Sequence, residues 1–397
     1  MKLLYCSHRG NFINIGSDYY CDGSWPYLIP ALSQFFEPMY LMVPVSHYPI
    51  PWTSKLDKAP NLKVIETKAY RNETLQFIQQ SYLWSWGNVL KFRKWQAQAD
   101  IVLFAVPSTL PYLAYLPFTN KPVVALVAGD EQEIAKITSG SPITKIEKFT
   151  GSLKFRELLE NYLLKKSATI ICRNSEFKQK LLHRWSLPES KINTILSGID
   201  TNMFKPFTMG QKNRIRQDLG LKDNLVIGFV AGAISHSKGA DTLITAFKQF
   251  RNECPRAKLL LIGEDILGLK RDQSIISWGR VKKEDLPAYY NTMDIFVFPT
   301  WSEGAPKVVM EASACGIPVI STNVGGIPEL IKAGETGFLV NPGDVNKITS
   351  YCQMLLEDEE LRQRMSDKGR KYALENFNYR QLARRTADVI KGVVGSK

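Results

Sequence analysis

No uninterrupted apolar run in the chain approaches the roughly 18 residues that a membrane-spanning helix requires, so a soluble or peripheral protein is expected. The opening Met1-Lys-Leu-Leu-Tyr-Cys6 reads as a short strand, because its apolar run stops before the length of a signal-peptide core. Cysteine is sparse and scattered. Cys6, Cys21, Cys172, Cys254, Cys315 and Cys352 include no Cys-x-x-Cys pair, which excludes a zinc ribbon and a disulfide scaffold and suits a reducing compartment. Low-complexity segments and internal repeats are absent too. So are helix-turn-helix, zinc-finger and RNP-type patterns, which makes nucleic acid the weakest candidate partner for the net charge of +13.

That charge is spread over the chain, about +7 before residue 200 and about +6 after it. It suits anions in general: nucleotide diphosphates, acidic lipid headgroups or nucleic acid. The 397 residues exceed one typical core and fit two domains of roughly 200 residues each, and 44% hydrophobic residues are ample for burial.

Apolar runs alternate with helical periodicity along the whole length, the signature of doubly wound α/β architecture. In the first half the expected strands are Lys2–Cys6, Met39–Val45, Leu62–Ile65, Ile101–Ala105, Val123–Val127 and Thr169–Cys172. In the second they are Leu225–Ala231, Lys258–Ile262, Ile275–Trp278, Ile295–Phe298, Val319–Ser321 and Phe338–Val340. A last helix is expected over about Tyr379–Val393.

The most informative stretch is Trp301-Ser-Glu-Gly-Ala-Pro-Lys-Val-Val-Met-Glu311. It sets Glu303 on a loop after a buried strand and Glu311 inside the helix that starts near Lys307. Loops at the carboxyl ends of parallel strands are where open α/β sheets bind ligands. The N–H groups of Val308 and Val309, with the positive end of the helix dipole, would suit a diphosphate. One carboxylate could then bind a sugar hydroxyl and the other a ribose.

This stretch resembles the Glu-x7-Glu element of retaining glycosyltransferases of family four, the group 1 type. Three further segments are similar to that family's motifs and follow in its order. They are the hinge-like Ile195-Leu-Ser-Gly-Ile-Asp-Thr-Asn-Met-Phe-Lys-Pro206, Val324-Gly-Gly-Ile-Pro-Glu-Leu330 and Thr336-Gly-Phe-Leu-Val-Asn-Pro342. The likeness covers the C-terminal half closely and the N-terminal half in outline. It implies an α/β GT-B fold, two Rossmann-like domains facing each other across a cleft. An acceptor-side domain would span residues 1–200, completed by a helix at about 379–397, and a donor-binding domain residues 201–378. The implied activity is retaining transfer of a hexose-type sugar from a nucleotide-diphosphate sugar to a saccharide, lipid-linked or small-molecule acceptor. Polysaccharide, glycolipid or glycoconjugate synthesis would be its setting, in the cytoplasm or at the inner face of a membrane. No metal or other cofactor is expected, since no clustered Asp-x-Asp lies in a plausible donor position.

By that resemblance, Lys238 in Gly232-Ala-Ile-Ser-His-Ser-Lys-Gly239 reaches the phosphates from a glycine-flanked loop, Glu303 and Gly304 meet the sugar, and Glu311 holds the ribose. The chain departs from the pattern at Ala233, where the family usually has Arg, and Arg280 is the candidate substitute. It departs again at Ala128, where many members have His. Asp130 is then the candidate for the polar role, with Glu131 beside it. Near the first strand, Gly10 and Gly16 would let the backbone approach phosphates closely, and His8 is expected to pack locally. Residues 75–95, with Trp84, Trp86, Phe92 and Trp95 among Lys91, Arg93 and Lys94, read either as a helix packed on the first sheet or as a membrane-surface element. Residues 145–166 read as an ordinary core-facing helix. Two other readings remain: a sugar-nucleotide-binding protein without catalysis, and another GT-B enzyme such as an epimerase or phosphorylase.

Overall fold

A computed structural model describes residues 1–7, 12–21, 25–46, 53–68, 88–106, 119–127, 152–268 and 272–395, with the backbone alone for 152–157 and 159. The chain divides into two compact units. Met1–Leu196 with Arg380–Lys397 form the first, and Ser197–Tyr379 the second. The helix Tyr379–Gly395 therefore completes the first unit.

Seven parallel strands make the frame of the first unit: β1 (Leu3–Cys6), β4 (Met39–Ser46), β6 (Leu62–Lys68), β7 (Ile101–Val106), β8 (Val123–Val127), β9 (Thr169–Cys172) and β10 (Ile192–Thr194). They lie in the order β10-β9-β8-β7-β1-β4, with β6 on the far side of β4. β1, β7, β8 and β9 are buried at every residue, as continuous apolar runs covered on both faces must be. A small extension was not expected. β2 (Phe12–Ile15) pairs with the end of β4 and turns back through a two-residue hairpin into β3 (Asp18–Cys21), which pairs with the two-residue β5 (Ser54–Lys55). Gly16 holds a φ of +67° in that hairpin, and a side chain added there would meet nothing within 4 Å. The turn thus accounts for this glycine, and phosphate approach is not needed to explain it.

The second unit has six parallel strands: β11 (Leu225–Ile234), β12 (Ala257–Asp265), β13 (Ile275–Gly279), β14 (Ile295–Phe298), β15 (Val319–Thr322) and β16 (Gly337–Val340). Their order is β13-β12-β11-β14-β15-β16, so the first strand sits between the second and the fourth. That reversal opens a crevice at the carboxyl ends of β11 and β14, the topological switch point of a Rossmann sheet. The first unit repeats the order around β1 and β7.

Aromatic packing stiffens the second sheet. Phe296 and Phe298 stack at 6.3 Å, Phe229 lies 5.7 Å from Phe298, and Tyr290 meets Phe296 at 5.7 Å and Phe204 at 6.0 Å. All five are buried. Each such ring contributes roughly 1.5–3 kcal/mol by burial, and the packing holds Tyr290 in one place.

Candidate active site

Two helices begin at the switch point, and both start without a side-chain cap. Ala240–Glu253 starts at Gly239, and Lys307–Ala314 starts at Pro306. By contrast, Asn174, Thr208, Asp344 and Asp358 each cap their helices with a side-chain oxygen. Serine, threonine, aspartate and asparagine are the usual N-caps, and a glycine or proline leaves the dipole end to the solvent or to a ligand.

Backbone geometry pulls the two loops together. Gly239 sits at φ +73°, and a Cβ there would lie 1.9 Å from the Pro299 carbonyl oxygen. The N–H of Trp301 and the hydroxyl of Thr300 both donate to the Ser237 carbonyl at 3.1 Å. From the other side Gly325, at φ +57°, backs onto Glu303: an added Cβ would fall 1.6 Å from its carbonyl oxygen. The N–H of Gly326 then donates to the Gly304 carbonyl at 2.7 Å. Only glycine allows these approaches. The loop 300–306 is thereby clamped between the Lys238 turn and the Gly325-Gly326 turn.

The clamp joins Lys238 and Glu303, whose side chains form a short hydrogen-bonded ion pair. The two are 33% and 22% exposed, so the pair is open to a ligand while half-withdrawn from water. Gly232 is exposed at the end of β11 with open space around its α-carbon.

Glu311 lies deeper, at 5% exposure, where its Oε2 accepts a hydrogen bond from the Tyr290 hydroxyl at 3.0 Å. Burial pushes its carboxyl above the usual range, opposed by Lys283, the Tyr290 hydrogen bond and Lys307. The Tyr290 hydroxyl is driven up by its own burial and then by Glu311. Tyr290 was not foreseen as a site residue. Its partner is 21 positions away, and only the aromatic packing reveals the contact.

Of Val308 and Val309, expected to meet a phosphate, the N–H of Val309 donates to the Pro306 carbonyl at 3.3 Å in a tightened first turn. Arg280, the candidate substitute for the missing arginine, has an acidic partner. Its guanidinium pairs with Glu264 at 2.6 Å, and the strand register sets Glu264 opposite Ala233. Gly304 is held by Gly326, as above. Asp130, Glu131, Ala128, His8 and Gly10 lie outside the described residues. Among the described residues no group of three His, Cys, Asp or Glu could hold a metal ion.

The two sheets and the switch-point site define a GT-B architecture of two Rossmann-like domains. Residues 211–372, all within the second unit, match the model of the family described as glycosyl transferases group 1. The chain is 33% identical over 234 residues to the capsular polysaccharide biosynthesis glycosyltransferase CapM of Staphylococcus aureus, covering 56% of this chain and 60% of that one. It is 30% identical over 221 residues to the GDP-mannose-dependent alpha-(1-6)-phosphatidylinositol monomannoside mannosyltransferase of Mycolicibacterium smegmatis, covering 52% and 57%. The matches thus span less than two thirds of those relatives. Among solved structures, sucrose-phosphate synthase from Thermosynechococcus elongatus superposes with a TM-score of 0.75 at 18% identity, over 100% of both chains. Anabaena Alr3699/HepE in complex with UDP-glucose superposes with a TM-score of 0.71 at 16% identity, over 99% of this chain and 100% of that one.

Proposed function

We propose that the protein transfers a hexose-type sugar from a nucleotide-diphosphate sugar to an acceptor hydroxyl with retention of configuration, in polysaccharide, glycolipid or glycoconjugate synthesis. The observation that carries this reading is the Lys238–Glu303 pair, clamped where two uncapped helices begin at the switch point. The names of the relatives, a capsular polysaccharide enzyme and a GDP-mannose-dependent transferase, support the setting, and the UDP-glucose complex of a structural neighbour supports the donor class.

Lys238 takes the diphosphate, and its charge offsets what develops on the leaving group as the bond from the sugar C1 to the phosphate oxygen breaks. Glu303, released from Lys238, accepts hydrogen bonds from sugar hydroxyls. Glu311, steadied by Tyr290, accepts from the ribose hydroxyls. The acceptor oxygen bonds to C1 on the face the diphosphate leaves, and its proton passes to a phosphate oxygen. No protein nucleophile enters this scheme, and the chain's own cation carries the charge balance without a metal. We place the reaction in the cytoplasm, on saccharide, lipid-linked or small-molecule acceptors.

Thermal shift with a panel of nucleoside diphosphates and their sugars tests the donor site, comparing the native chain with Lys238→Ala and Glu311→Ala. Stabilisation by one nucleotide that both variants lose supports the reading. Anomeric configuration of the product, read by NMR, tests retention. Ala233 favours a second reading, sugar-nucleotide binding without transfer. Binding with no turnover across a broad acceptor panel would establish that reading in place of the first.

A further inference from the structure

Helical residues 88–98 and the helix Ser152–Lys166 turn Val89, Phe92, Leu163 and Leu164 into one hydrophobic cluster, against alternate residues of β1, β4, β7, β8 and β9. Alternate residues of a strand share a face, so both helices lie on the same side of the first sheet. The packed-helix expectation for residues 75–95 is met over 88–95, where Val89 and Phe92 are buried, and residues 75–87 with Trp84 and Trp86 lie outside the described residues; the outward side carries more than charge. Leu90 is 77% exposed, Leu158 66% and Tyr162 44%. A single exposed leucine is ordinary, whereas three large apolar residues on the outward sides of two helices over one face are not.

Their neighbours are cationic. Lys91, Arg93, Lys94, Lys165 and Lys166 are all exposed, Lys166 extends over the Tyr162 ring at 5.8 Å, residues 88–98 contain no acidic side chain, and the acids of the second helix are Glu157 and Glu160. Exposed apolar side chains on helices where lysine and arginine outnumber acids match a surface that is apolar beneath and negative at its headgroups. No helix among the described residues is long and apolar enough to cross a membrane, so contact would be made from the surface.

We infer that this face of the first unit docks on acidic phospholipid, Leu90, Leu158 and Tyr162 entering the interface while Lys94, Lys165 and their neighbours meet the headgroups. This deepens the transferase reading by assigning its acceptors to a lipid surface. It does not depend on the donor site being correct.

Vesicle flotation of the full chain tests it, with phosphatidylcholine alone against a mixture containing about a third phosphatidylglycerol. The native protein is expected to partition onto the acidic vesicles on the order of tenfold better, and to lose most of that preference in about 1 M salt, where the screening length falls to about 3 Å. A Leu90→Ser, Leu158→Ser, Tyr162→Ser triple variant and a Lys94→Glu, Lys165→Glu double variant should each lose about fivefold or more. Nucleotide-dependent thermal shift should be unchanged in both, which separates a failure here from a failure of the donor site. Equal partition of the native chain onto both vesicle types would overturn the inference. So would variants that float like the native protein, or a triple variant whose mass in light scattering halves while flotation persists, since a second copy of the chain would then cover the face.

Discussion

Glu303 pairs with Lys238, so in the proposed reaction a nucleoside diphosphate must displace that carboxylate before it can bind. Replacing Glu303 with Gln removes the competing charge and keeps the side-chain length. Two charges at contact gain about 4 kcal/mol at an effective dielectric constant near 20, but fully exposed pairs contribute only about 0.2–1 kcal/mol. At 33% and 22% exposure this pair falls between those limits. About 1.5 kcal/mol of competition is a reasonable central figure, which corresponds to roughly tenfold in affinity. Isothermal titration calorimetry with the nucleoside diphosphate that stabilises the native protein should therefore show Glu303→Gln binding about tenfold more tightly. Transfer from the corresponding nucleotide sugar should fall, because the sugar loses a charged acceptor. The tightening acts on the diphosphate group, so inorganic pyrophosphate should follow the same trend. If Glu303→Gln binds the diphosphate no more tightly than the native protein, the phosphate does not compete for Lys238 and the placement of the donor is wrong.

Burial raises the Glu311 carboxyl, so the folded state holds its proton more tightly than the unfolded chain. Its contribution to stability is then fully present below the unfolded value near 4.5 and is lost as pH rises toward the folded value; denaturant titrations across that window should show a negative slope that Glu311→Gln abolishes. Gly325→Ala drives a Cβ into the Glu303 carbonyl and should cost more than about 3 kcal/mol along with nucleotide binding, whereas Gly16→Ala, with open space around it, should cost about 1 kcal/mol by urea denaturation. Arg370 donates to the carbonyls of Ala314 at 2.7 Å, Phe204 at 2.8 Å and Thr201 at 3.2 Å, tying the 201–204 segment to the end of the Glu311 helix. Arg370→Met should destabilise by about 2–4 kcal/mol in the same assay; a change under 0.5 kcal/mol would show those bonds to be replaceable by water.

Every strand of the sequence reading has a counterpart, and Val123–Val127, Thr169–Cys172 and Ile295–Phe298 match to the residue. A parallel strand covered on both faces must be an unbroken apolar run, and that pattern is local. β2, β3, β5 and β10 escaped because they are short and of mixed polarity, and because pairing across space defines them. The same distinction governs the site. Lys238, Glu303 and Glu311 were legible as residues in motifs, but Glu303 lies 65 positions from Lys238, and nothing local announces that they pair. Val324-Gly-Gly-Ile327 was legible only as a motif, and the close approach of Gly325 to the Glu303 carbonyl is seen only in the fold.

The chain leaves the first unit after Leu196 and re-enters it at Arg380, and just inside those crossings the two ends of the second unit are stitched together. Ile199 and Asn378 form a parallel bridge, with the Ile199 N–H on the Phe377 carbonyl at 2.8 Å and the Tyr379 N–H on the Ile199 carbonyl at 3.1 Å. The second unit is thus an insertion with its own clasp. Domains whose ends meet tolerate being moved between hosts. The second unit could therefore be carried into another host with both of its chain crossings kept at one place, so that what its switch-point site does would travel independently of the first unit.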